Sequence, residues 1–151
     1  MWQRIQTVFL AVAILVLLAS LVLPIWTVEI NGEPNVLTSF YYLKGNSYQY
    51  NPYSLTAILA IASATLSFIE ITKFKNRLTQ LKIGALNSLF LAGTIGSAFY
   101  FASQLIKALA GGAGHYGLGM WLPGIAVLCN LLANRFIRKD EKLVRDSDRL
   151  R

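Results

Sequence analysis

The sequence predicts an all-α membrane protein, a bundle of four transmembrane helices with both termini on the cytoplasmic side. Three observations predict it. The chain is 55% hydrophobic with a mean hydropathy of +0.51, too apolar for a soluble domain of 151 residues. Four runs with little or no charge approach the roughly 20 helical residues that cross about 30 Å of hydrocarbon. The charged residues, 14% of the chain, gather between and after those runs instead of spreading along amphipathic faces.

The first run, 5–23, carries no charge and ends at Pro24. Arg4 ahead of it resembles the start of a signal peptide, but the run exceeds a cleaved h-region of about 7 to 15 residues, and Leu21-Val22-Leu23-Pro24-Ile25-Trp26 offers no small-x-small cleavage site. It reads as a retained anchor. The second run, 54–71, follows the helix-opening pair Asn51-Pro52 and meets charge only at Glu70. That carboxyl falls at the cytoplasmic end of its span, within reach of headgroups, Lys73 or Lys75. The third run, 83–106, is the longest; the fourth, 118–137, is interrupted by Pro123-Gly124 and charged only at Arg135. One membrane domain, 1–151, results. Its outer loops are 24–53 and 107–117, and a loop at 72–82 and a tail at 138–151 face the cytoplasm.

Orientation follows from Lys and Arg, which stay on the cytoplasmic side. Of the 14 such residues, only Lys44 and Lys107 fall in the outer loops. Arg4, Lys73, Lys75, Arg77, Lys82 and the arginines and lysines from Arg135 onward hold the other side. The net charge of +7 is therefore what topology and the anionic headgroups of membrane lipids require, and it does not indicate specific nucleic-acid binding.

The outer loop alternates in strand fashion through Trp26-Thr27-Val28-Glu29-Ile30 before the turn signal Asn31-Gly32, which predicts a small extracytoplasmic β-hairpin. Lys44-Gly45-Asn46 is a second turn candidate. Phe40, Tyr41, Tyr42, Tyr48, Tyr50 and Tyr53 suit either an aromatic belt at the outer interface or a stacking surface for a ligand. The stretch from Gly111 to Gly117 follows no strand and lacks the Lys-Ser/Thr ending of a phosphate-cradling loop, so it reads as a flexible outer turn. His115, the single histidine, has no second ligand nearby for a metal. Cys129, the single cysteine, excludes an internal disulfide and reads as a small buried hydrophobe.

No span carries a charge near its middle, which disfavours ion-coupled transport through one subunit. Gly84, Ser88, Ala92 and Gly96 recur every fourth residue and form a stripe on which another helix can pack closely. Asn87 and Asn134 lie at equal depth, so a hydrogen bond between them is expected. Asn130 lies deeper and needs its own partner. Such amides serve as interhelical glue.

In the tail, Glu141 and Arg145 are an i,i+4 pair in the favoured order, and Ile137, Leu143, Val144 and Leu150 form a sparse apolar stripe. The fourth helix is expected to continue past the membrane surface. Its end is either a solvated topogenic segment on anionic lipid or a docking helix; the docking set is Arg77, Gln80, Asp140, Glu141, Leu143, Val144, Arg145, Arg149, Leu150 and Arg151.

Three stretches carry a family resemblance: Met1-Trp2-Gln3-Arg4-Ile5-Gln6-Thr7, Phe74-Lys75-Asn76-Arg77-Leu78-Thr79-Gln80, and the tail from Lys139-Asp140-Glu141-Lys142 to Asp148-Arg149-Leu150-Arg151. Together they resemble a Bacteroidetes integral membrane family catalogued as a domain of unknown function, number four-two-nine-three. The resemblance implies a bacterial inner-membrane location and a four-helix fold, but no activity. With no catalytic, cofactor or metal motif in view, the reading is a non-enzymatic accessory or scaffold subunit of a larger inner-membrane assembly, in a process such as protein export or envelope biogenesis. Its expected partners are other membrane subunits or further copies of itself. The alternative is a lipid or small-molecule binding or transport protein that uses the aromatic outer loop, with the Pro123-Gly124 kink as a gated entry.

Overall fold

The computed structural model describes residues 5–30, 32–74, 76–109 and 114–148, Ser147 and Asp148 by backbone alone. Four long helices dominate: α1 (Ile5–Val22), α2 (Leu55–Thr72), α3 (Arg77–Ala108) and α4 (Leu118–Asp148). Each is long and apolar enough to cross a membrane. They pack in a ring in chain order, each against the next and α4 against α1.

The buried positions explain this packing. In α1 they are Gln6, Leu10, Ala13, Leu17 and Ser20. In α3 they run Gln80, Gly84, Asn87, Leu91, Thr94, Ala98, Phe101 and Leu105. In both helices the steps alternate between three and four residues, the repeat that keeps one seam facing inward along helices crossed at about 20°. Small residues recur within the seams, among them Ala13, Ser20, Gly84 and Ala98, and allow close backbone approach at those points.

Helix α3 starts at Arg77, well before the run of uncharged residues at 83, because Asn76 caps it: its Oδ1 accepts from the Thr79 N–H at 3.1 Å. Pro123 lies inside α4, which continues unbroken around it.

One end of the bundle is closed by a five-stranded antiparallel sheet of order β4-β3-β2-β1-β5. Its strands are β1 (Trp26–Ile30), β2 (Glu33–Leu37), β3 (Tyr42–Lys44), β4 (Ser47–Gln49) and β5 (His115–Tyr116). The predicted hairpin is thus only part of the sheet. Both turn signals operate, with Gly32 at φ 79° and Gly45 at φ 57°, conformations that L side chains seldom adopt. The alternating face with Trp26, Val28, Leu37 and Tyr42 packs on Ala98, Phe101, Ala102 and Leu105 of α3. A turn over residues 38–41 fixes the sheet to the helices: Ser39 Oγ donates to the Ser20 carbonyl at 3.0 Å, and the Ser39 carbonyl accepts from the Ala57 N–H at 3.0 Å.

The connection between α3 and α4 is not a flexible turn where it is described. His115 and Tyr116 pair with Thr27 and Trp26 as β5. The Gly117 N–H donates to the Ile25 carbonyl at 2.9 Å, and the Gly119 N–H to that of Pro24 at 3.0 Å. A Cβ at Gly117 or Gly119 would overlap the Pro24 carbonyl, and one at Gly114 the Trp26 indole. Close approach, rather than mobility, is what these glycines serve. Arg4, Asn31, Lys75 and the segment 110–113 lie outside the described residues, so the expectations placed on them stand apart from this account.

Candidate functional site

Along the bundle axis the interior changes character. Next to the sheet it is aromatic; in the middle, Ala13, Leu17, Ala60, Leu91 and Ala126 make a small aliphatic core. Toward the α2–α3 turn it becomes polar. There Asn87 is fully buried and forms the hub of a network: its Oδ1 accepts from Ser63 Oγ at 2.5 Å, and its Nδ2 donates to Ser67 Oγ at 2.8 Å and Asn130 Oδ1 at 3.3 Å. Asn130 Nδ2 in turn donates to Ser88 Oγ at 2.9 Å and the Gly84 carbonyl at 3.1 Å. Three helices are joined through amides that would otherwise be unsatisfied in an apolar interior.

The expected Asn87–Asn134 bond is therefore corrected: the partner in α4 is Asn130. One helical turn separates Asn130 from Asn134, and the inward seam of α4 turns Asn130 toward Asn87, while Asn134 packs its amide directly over Gly84. Gly84, Ser88, Asn87, Asn130 and Asn134 do gather at one junction. Ala92 and Gly96 do not, since both are exposed, and a Cβ at Gly96 would meet nothing within 4 Å. The regular four-residue stripe drifts around α3, whereas the seam follows alternating steps of three and four.

Glu70 also differs from expectation. It is fully buried in the α2 seam, and neither carboxylate oxygen has a hydrogen-bond partner among the described residues, so it reaches neither headgroups nor Lys73. Gln80, read as a docking residue, is 1% exposed, and its Nε2 donates to the Glu70 carbonyl at 3.1 Å. It ties α3 to the end of α2 and is not presented to a partner. Ser63 and Ser67 were missed at the sequence level, and Glu70 was not recognised as part of their seam. Their spacing of four and three, continuing from Ala60, is the signal that marks them as one inward seam.

The remaining docking residues are more accessible. Arg77 is half-buried, with Nη1 enclosed and unpartnered among the described residues. Asp140 and Glu141 are half-buried, Arg145 is exposed, and Leu143 and Val144 stand 61% and 47% exposed on the helical extension of α4. Arg149, Leu150 and Arg151 lie outside the described residues.

Two surface concavities flank this framework. One, of about 480 Å³, lies on the sheet and is lined by Thr27, Glu29, Pro34, Val36 and His115. The other, of about 460 Å³, lies between α3 and α4 near the α2–α3 turn. Beside the sheet, Tyr41 meets Tyr48 and Tyr50 edge-on, with ring centres 5.1 and 5.9 Å away. Tyr42 instead points inward and donates to Asn35 Oδ1 at 2.8 Å. Burial, and then the nearby Tyr53 phenol, hold its hydroxyl above the ordinary tyrosine value. Among the described residues no three His, Cys, Asp or Glu side chains group as metal ligands do.

Comparison with known proteins agrees with the resemblance in the termini and the α2–α3 turn. No curated protein matches the chain. A family model described as Domain of unknown function (DUF4293) matches residues 2–150, nearly the full length. The chain belongs to that family.

Proposed function

We propose that this chain is a non-enzymatic accessory or scaffold subunit of a larger bacterial inner-membrane assembly. In this reading the sheet faces outward, both termini and the α2–α3 turn are cytoplasmic, and a partner docks on the α4 extension and on Arg77. One observation carries it: α4 stays helical to Asp148, and within this charged segment Leu143 and Val144 are side by side and exposed. Charge would suffice for topology or for contact with lipid headgroups. Two adjacent apolar side chains held on a rigid helix suit a protein groove, the mode in which an amphipathic helix binds a partner.

Removing residues 140–151 is expected to abolish stoichiometric co-purification of a membrane partner in gentle detergent, while insertion and folding persist. Retention of the same partners by the truncated chain would end the docking proposal. Sidedness has a separate test in a Cys129→Ser background. A cysteine in place of Arg145 should react with an impermeant maleimide only after the inner membrane is opened, and one in place of Thr27 should react in intact spheroplasts; the reverse pattern overturns the orientation. Tyr48 and Tyr50, exposed and each packed edge-on against the half-buried Tyr41, favour a second reading, in which the outer loop captures a lipid or small molecule.

A further inference from the structure

The groove between α3 and α4 brings two exposed arginines beside a buried amide oxygen without a partner among the described residues. It is lined by Ala85, Ser88, Leu131, Asn134, Arg135 and Arg138, with a volume of about 460 Å³. Both arginines are exposed and border the same cavity from one side of α4. On its floor Asn134 is only 7% exposed, and its Oδ1 has no hydrogen-bond partner among the described residues. Toward the sheet, Ala92 and Gly96 follow on α3 and share a helical face with Ala85 and Ser88. Both are exposed, and open space lies over Gly96. A polar, doubly cationic cavity thus adjoins a shallow stretch of small, exposed side chains on α3.

We propose that this groove is a binding site for one anionic glycerophospholipid of the phosphatidylglycerol class. This rests on the membrane reading above but not on partner docking. The arginines supply planar donors for the phosphodiester oxygens. A glycerol headgroup carries hydroxyl donors, which the Asn134 amide carbonyl lacks. An acyl chain lies over Ala92 and Gly96, where larger side chains would leave no channel. Basic pockets between transmembrane helices at the positive face are where acidic headgroups settle. Charge complementarity therefore selects this occupant over a second helix, which would have to bury Arg135 and Arg138 without acids to pair them.

The test uses the full-length protein, stripped of lipid in detergent and titrated with phosphatidylglycerol or phosphatidylcholine of identical chains, with bound lipid counted by native mass spectrometry. Phosphatidylglycerol is expected to occupy one site and raise the melting temperature. The double variant Arg135→Ala/Arg138→Ala should weaken it about tenfold or more. The control Lys139→Ala/Lys142→Ala, with the same loss of charge outside the groove, should bind as the unmodified protein does. Gly96→Leu, which covers that stretch without touching charge, should weaken binding several-fold while leaving the lipid-free melting temperature unchanged. Equal binding of the two lipids, equal loss in both double variants, or unaltered binding by Gly96→Leu would each overturn the proposal. Binding of soluble glycerol phosphate as tightly as the lipid would also overturn it, because the stretch of small side chains would then contribute nothing. Failure of the chain to fractionate with membranes, measured beforehand, would instead reject the membrane reading on which the site depends.

Discussion

Substituting leucine for Asn87 is expected to destabilise the bundle by about 2 to 4 kcal/mol. The change removes the acceptor of Ser63 and the donor to Ser67 and Asn130 at once. It leaves those groups in an interior with no water to replace the lost bonds. Single interhelical bonds in membrane proteins contribute only about 0.6 to 2 kcal/mol, so the size of the effect depends on the hub position. Thermal unfolding in detergent, followed by circular dichroism, measures it. A double-mutant cycle with Asn130→Leu separates shared from independent contributions, and their combined loss should be smaller than the sum of the two single losses. A melting temperature unchanged by Asn87→Leu would mean that the network does not hold the helices together. Asn134→Ala provides the contrast, since its Oδ1 loses no bond.

The second large effect is expected at Gly117. A valine there would drive its side chain into the Pro24 carbonyl, which is also held by the Gly119 N–H at 3.0 Å and so cannot swing aside without breaking that bond. The valine also strains the Gly117 N–H bond to the Ile25 carbonyl and, through it, the pairing of β5 on β1. Overpacking alone costs about 1 to 3 kcal/mol, and the lost hydrogen bonds add to it, so a loss of about 3 kcal/mol or more is expected. Loss of native packing can be read from Trp26 fluorescence in a background where Trp2 and Trp121 are phenylalanine. Gly96→Ala, set in open space on a helix, should change stability by no more than about 1 kcal/mol, and in the favourable direction. Equal effects at the two glycines would show that the contacts around Gly117 are not limiting.

The bundle was legible because run length and charge asymmetry are strong signals in a membrane-like chain. The strand from Trp26 to Ile30 was legible from its alternation with a period of two, and the turn after it from Gly32. The sheet's fifth strand was not. His115 and Tyr116 are too few to alternate, and their pairing with Trp26 and Thr27 depends on a contact far along the chain. The glycines around them read locally as flexibility, while their physical cause, the Pro24 carbonyl and the Trp26 ring, lies on the connection between α1 and α2. The amide network was half legible. The residue types announced interhelical bonds, but judging depth from each span's end paired Asn87 with Asn134. The inward rotation of each helix, set by alternating steps of three and four, decided for Asn130. The same rotation placed Gln80 and Glu70 inside, where the sequence had assigned Gln80 to the loop at 72–82 and Glu70 to the end of its span, within reach of headgroups or lysines.

The sheet draws on two parts of the chain made at different times. Strands β1 to β4 come from the connection between α1 and α2, while β5 comes from that between α3 and α4. When the first helical hairpin has been synthesised, the free edge of β1 has nothing to pair with. Only the arrival of the second hairpin supplies β5 and seats Gly117 and Gly119 against Pro24 and Ile25. The sheet is therefore a clasp: the connection between α3 and α4 is held to the one between α1 and α2 at the end of the bundle opposite the tail. A chain cut between α2 and α3 and co-expressed as two pieces retains both halves of that clasp.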